Sequence, residues 1–226
     1  MLSSLRHKVI AVFSLTVITV LVAAGCASSN GNASSGKAGA QEGKASFQIS
    51  SSSFTEIRPK KRIPQENTCY GKNLSPPLTW SGAPPRTDSF ALLVEDVDHR
   101  YVSWTHWVIY NIPGEANELT AGIPTTTRVL PDGTTQGTND YSLFGYNGPC
   151  QPPVSKRGKL LRGARPEPAH RYVFTLYALD ITLDVAPGAP RSKLLDAMDG
   201  HILAQVETTG KSQGIIRYGA GVESHE

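Results

Sequence analysis

The chain has 226 residues, 39% of them hydrophobic and 18% charged, with 21 Gly and 16 Pro. That composition excludes a wholly disordered chain, and low charge with abundant Gly and Pro disfavours a helical bundle or coiled coil and favours short strands joined by turns. The formal charge is +3, but Arg6 and Lys8 fall in a segment read below as removable, which leaves 20 bases against 19 acids and no footing for bulk nucleic-acid binding.

Residues 1–25 read as an export signal. Arg6, His7 and Lys8 form a basic start, and Val9 to Ala24 is an uncharged, mostly apolar run, the length of a secretory core and short for a membrane span. The run ends in Leu21-Val22-Ala23-Ala24-Gly25-Cys26, which resembles a bacterial lipobox with Cys26 as the lipidated residue. Residues 26–44 are rich in Ser, Gly, Ala and Asn and read as a flexible tether. The expected location is therefore the extracytoplasmic face of the cell membrane, held by acyl chains. Of 3 Cys, Cys69 and Cys150 remain, an even pair that export permits to be bonded; two free buried thiols are the other reading.

From residue 45 onward the pattern predicts one folded domain, 45–226, mostly β. Ser46 to Phe54 reads as a first strand and Thr68 to Pro85 as a long Pro/Gly loop. Ser89 to Val97 reads as a buried strand, and Val102 to Ile112 as an aromatic, β-branched strand stopped by Pro113-Gly114. Gly137 to Pro153 and the basic stretch Val154 to Ala169 read as further long loops. His170 to Ile181 is the strongest strand. Its two faces, Tyr172/Phe174/Leu176/Ala178 and Val173/Thr175/Tyr177/Leu179, are both largely apolar, as in a central strand covered on both sides. The spacing of Leu194, Leu195, Met198, Ile202 and Leu203 predicts a helix over Pro190 to Val206, weak at Gly200. Gly214 to Tyr218 reads as a last strand or tail.

No G-x-S-x-G, Walker A, H-E-x-x-H or helix-opening G-x-G-x-x-G occurs, and the Cys spacing gives no zinc site. What remains are polar residues at strand ends. In extended chain, residues i and i+2 share a face, so Asp96 with Asp98, Trp104 with His106, and His170 with Tyr172 are expected to point together. Each alone is more often a turn or core residue. Gathered at one sheet end they would give imidazoles and carboxylates between aromatic walls, chemistry suited to a phosphate or zwitterionic head group.

Five motifs then stand in one order: N-x-S-P-P-L-x-W-x-G-A-P (Asn73 to Pro84), D-x-D (Asp96, Asp98), W-T-H-W with Y-N-I-P (Trp104 to Pro113), G-x-N-D-Y with G-Y-N-G-P-C-Q-P-P (Gly137 to Pro153), and H-R-Y-V-F-T-L-Y-A-L-D (His170 to Asp180). Over roughly residues 45–218 the chain resembles the phosphatidylethanolamine-binding protein family, in its bacterial Raf-kinase-inhibitor-like branch. The resemblance implies a large central sheet packed on a smaller one, few helices near the C-terminus, and a small anion pocket formed by Asp96, Asp98, Trp104, His106, Pro152, His170 and Tyr172. It implies that His170 and nearby amides hold a phosphate, while Asp96 orients His106 or faces a ligand ammonium. Two departures stand out: Val97 replaces the family's Pro, and His99 follows Asp98 where Ala-Pro is usual. The leading expectation is non-enzymatic binding, without cofactor or metal, of an anionic small molecule or phospholipid head group. A protein partner, through inhibition of a protease or modulation of a kinase, is the alternative, and a weak hydrolase the next.

Overall fold

A computed structural model describes residues 46–57, 60–150 and 168–212. The expected export signal, Cys26, the tether, Pro152, residues 151–167 of the loop region and the closing 214–218 segment lie outside the described residues.

Seven strands build the larger sheet: β2 (Thr55–Ile57), β3 (Lys60–Arg62), β5 (Ser89–Asp96), β6 (Trp104–Pro113), β8 (Thr135–Gln136), β9 (His170–Leu179) and β10 (Ile202–Ser212). Their spatial order is β2-β3-β10-β9-β5-β6-β8, so β9 is central, and only the β3–β10 pair is parallel. The smaller sheet is β1 (Gln48–Ser50), β4 (Leu78–Ser81) and β7 (Glu118–Leu119), in the order β1-β4-β7. Apolar side chains fill both faces of the larger sheet. Phe90, Leu92, Val94, Phe174 and Leu176 pack toward Ile49, Leu78, Trp80 and Leu119 of the smaller one. Ala91, Leu93, Val108 and Tyr110 pack on the other face with Leu183, Leu194 and Met198. The two faces of β9 thus serve two cores, as the sequence of that strand demands.

Three expectations need correction. The first strand is shorter than Ser46 to Phe54, because the Ser-rich run turns at residues 52–53 and restarts as β2. The Thr68 to Pro85 loop contains β4, whose alternating Leu78 and Trp80 bury against the larger sheet while Thr79 and Ser81 face out. The helix α1 covers only Arg191–Met198. Gly200 adopts φ +80°, a left-handed turn that glycine enters without strain, and it sends Ile202 and Leu203 into β10 instead of a third helical turn. Pairing with β9 along most of its length outweighs the weak helical propensity there.

Candidate functional site

Register brings the strand ends together. Asp96, the last residue of β5, pairs with Tyr172 on one side and Trp104 on the other. On β6 the successive partners of Val94 and Glu95 are Trp107 and Thr105, so His106 is the extra residue of a β-bulge. Strict alternation from Trp107 would turn His106 toward Val108 and Tyr110. The bulge instead packs its ring edge-on against Tyr172 at 5.0 Å and Tyr141 at 5.4 Å.

A cavity of about 350 Å³ opens at this sheet end, lined by Asp96, Trp104, His106, Tyr141, His170 and Tyr172 at its base, with residues 99–101 and Cys150 around it. Asp96 is buried, and its Oδ2 accepts a hydrogen bond from His170 Nδ1 at 2.7 Å. Its Oδ1 accepts the backbone N–H of Asp98 at 3.0 Å. Asp96 therefore orients His170; of the two roles expected for it, orienting His106 or facing a ligand ammonium, the first is not the one its hydrogen bond makes.

His106 has its own partner. Its Nδ1 lies 2.6 Å from the Asn147 carbonyl, which can only accept, so the proton is on Nδ1. Burial holds the His106 imidazole below its usual pKa, only partly offset by that carbonyl and by Asp96. A neutral ring with Nδ1–H leaves Nε2 as an acceptor. The Tyr172 phenol is pushed well above its usual range, first by burial and then by the Asp96 charge; the Tyr141 phenol is raised by the same two causes. Both stay protonated; the Tyr172 O–H is directed to Asp96, and the Tyr141 O–H is able to donate.

Asp98 stands apart. The strand ends at Asp96, so the parity that would have paired the two carboxylates is lost. Asp98 takes both Arg171 Nε (2.9 Å) and Nη2 (2.7 Å), as well as the Arg171 backbone N–H at 2.8 Å. That fork holds the Asp98 carboxyl below its ordinary pKa. It does not line the cavity. Val97 also binds Arg171, its N–H donating to the Arg171 carbonyl at 3.1 Å, a bond that the proline expected there from the resemblance could not make.

The outer wall is the loop after β8. Asn139 caps its own turn, accepting the N–H groups of Tyr141 and Leu143 and donating to Gly145 O. Asp140 Oδ2 accepts Thr105 N–H at 2.7 Å and thereby fastens the loop to β6. Asn73, at φ +56°, donates to Asn147 Oδ1 and accepts Gly148 N–H. A disulfide joins Cys69 to Cys150, Cα to Cα 5.3 Å. Tyr141, Arg100 and Tyr101 line the cavity without having been named from sequence. The first lay inside a quoted motif, and the others follow the D-x-D pair after His99. Among the described residues no cluster of His, Cys, Asp and Glu could hold a metal ion.

Residues 52–213 match the family profile described as phosphatidylethanolamine-binding protein. A UPF0098 protein of Methanothermobacter thermautotrophicus is 44% identical over 149 residues, 66% of this chain and 89% of its own length. A UPF0098 protein of Chlamydia muridarum is 36% identical over 169 residues, 73% of this chain and 97% of its own. Among solved structures, a phosphatidylethanolamine-binding protein homologue of Chlamydia trachomatis matches with TM-score 0.60 and 32% identity, covering 75% of this chain and 98% of that one. YbcL of E. coli, described as a new member of the mammalian family, matches with TM-score 0.62 and 28% identity, covering 76% of this chain and all of that one.

Proposed function

Because the chain belongs to the phosphatidylethanolamine-binding protein family, we propose that it binds a phosphate-bearing small molecule or lipid head group, without turnover, at the extracytoplasmic membrane face. The observation that carries this reading is the Asp96–His170 pair at the base of a cavity large enough for a head group but not for a whole lipid. His170, when protonated, is a cationic donor facing the anion, and the neutral Tyr141 phenol adds a second. The neutral His106 accepts from a ligand hydroxyl or ammonium. Among the described residues the lining offers no side-chain nucleophile for covalent catalysis: it holds no Ser or Thr, Cys150 is in a disulfide, and the phenols are protonated. Membrane attachment through Cys26 follows from the lipobox and is read out by acyl-chain labelling of wild type against Cys26→Ser.

Calorimetric titration with inorganic phosphate and O-phosphoethanolamine tests the pocket. His170→Ala should weaken binding by about 1.5–3 kcal/mol, the worth of a hydrogen bond to a charged group; it also leaves the buried Asp96 carboxylate short of a donor and lowers the unfolding midpoint, so affinities are compared at a temperature where the variant is folded. Equal affinities in wild type and variant would remove the pocket from the function.

A further inference from the structure

The loop that walls the Asp96–His170 cavity has a second face. Tyr141 lines that cavity, but Ser142, Leu143 and Phe144 line a separate cleft of about 580 Å³, against about 350 Å³ for the first, and the two share no lining residue. Residues 72–74 and 122–126 form the rest of its wall, together with Tyr146 and Asn147. The volume is that of a small-molecule site, and phosphate binding makes no use of it.

Buried polar side chains hold these walls apart. Ser75 accepts Gly122 N–H on its carbonyl and Ile123 N–H on Oγ, both at 2.9 Å. The Gln136 amide donates to Pro124 O at 2.8 Å and to Thr127 O at 2.7 Å, while its Oε1 takes the Trp107 indole N–H. Arg128 lies 3.9 Å over the Phe144 ring. Ser75 and Gln136 are buried, so collapse of the cleft would leave their groups without partner or water. The backbone is strained where it meets the cleft: Asn73 (φ +56°) and Ser142 (φ +59°), two of the four non-glycine residues at left-handed φ among the described residues, both line it. Leu74 and Leu143 stay 38% and 53% exposed on its wall, apolar surface that an occupant would cover.

Charge on the lining has one sign. Among the described residues Lys72 is its only charged side chain, and no acid lines the cleft. Leu74, Leu143 and Phe144 offer apolar contact, and Thr125, Thr126 and Ser142 offer hydroxyls. That set matches a molecule with an apolar body and one anionic end. We propose that the cleft is a second binding site, for a small amphipathic monoanion of the medium-chain carboxylate class, its chain against the leucines and Phe144 and its carboxylate at Lys72. Its occupant needs nothing from the Asp96–His170 pair, whatever that pair holds.

The experiment titrates the full chain with octanoate and follows the backbone amides by nitrogen-15 NMR. The amides of residues 122–126 (Pro124 aside) and 142–144 should shift together and saturate. Saturable shifts confined to residues 104–106 and 170–172 would place the probe in the first cavity and overturn the inference, as would no saturation at all. A second arm compares octanoate with octanamide at low ionic strength, where an exposed charge is least screened. Octanoate should bind about threefold more tightly, the modest gain that an exposed ion pair gives, and Lys72→Gln should erase that preference. Leu143→Ser should weaken both ligands alike. Lys72 and Leu143 are exposed, so neither substitution touches the core. Equal affinity for the two ligands in the wild type, a preference that survives Lys72→Gln, or undiminished binding by Leu143→Ser overturns the inference.

Discussion

Asp96→Asn isolates what the buried carboxylate contributes to anion binding. Asp96 accepts on two different oxygens, from His170 Nδ1 at 2.7 Å and from Asp98 N at 3.0 Å. An asparagine in the same place has one oxygen and one NH₂. The Asp98 backbone can only donate, so the amide oxygen turns to it and the NH₂ meets His170. The imidazole can adapt: Nδ1 becomes the acceptor and the ring proton moves to Nε2. The variant therefore keeps both hydrogen bonds and offers a neutral Nε2–H donor. In the wild type the Nδ1 proton is held by the carboxylate, so the ring donates to the anion only as an imidazolium, whose full charge the variant's neutral ring lacks. Losing that charge should weaken phosphate binding roughly tenfold, about 1.4 kcal/mol. Calorimetric titrations of both proteins with inorganic phosphate in one buffer give the ratio of affinities, and nitrogen-15 NMR of the imidazole reports the tautomer. A ratio of one would show that the Asp96–His170 pair serves the fold and not the ligand.

Burial holds the His106 pKa below its ordinary 6.5, so the unfolded chain takes up this proton before the native one does. Stability from the neutral ring is complete above that value and is lost as pH falls toward the lowered native pKa; His106→Gln should flatten this acid slope in denaturant unfolding. The disulfide closes a separation of 81 residues, and Cys69→Ser/Cys150→Ser should lower the unfolding free energy by about 4 kcal/mol on the chain-entropy estimate. A Cβ at Gly148 would run into the Asn67 carbonyl, so Gly148→Ala should cost about 1–3 kcal/mol and weaken phosphate binding through the displaced wall; a thermal melt matching wild type would contradict the close approach.

Sequence disclosed the elements that are continuous and repetitive. The doubly apolar β9 and the buried β5 announce a central strand pair, because strand periodicity and composition are local properties. The residues at the cavity were legible as a set for the same reason: they sit at the ends of those strands. Their partnerships were not. Which imidazole meets Asp96 depends on register between β5 and β9, and on the bulge that re-aims His106; neither leaves a mark in one strand's own sequence. The truncated helix shows the converse failure. Leu194 and Met198 do bury on one face, but Gly200, noted as a weak point, is the turn itself, and nothing local says that β9 has an open edge for the following residues to pair with.

Position 97 marks where a departure from family pattern carried usable information. A proline there has no N–H; valine does, and it adds one more backbone bond between the end of β5 and Arg171. The next residue, Asp98, holds the same Arg171 by its backbone N–H and its guanidinium. Two neighbouring residues thus clamp one residue of β9, and that residue lies between His170 and Tyr172, both of which face the cavity. The carboxylate that seemed a second ligand group is instead part of the clamp that fixes the first residues of β9. Its consequence for binding is indirect: Asp98→Ala should weaken phosphate binding by loosening the residue between His170 and Tyr172, without removing any group from the cavity lining, and calorimetric titration with inorganic phosphate checks it.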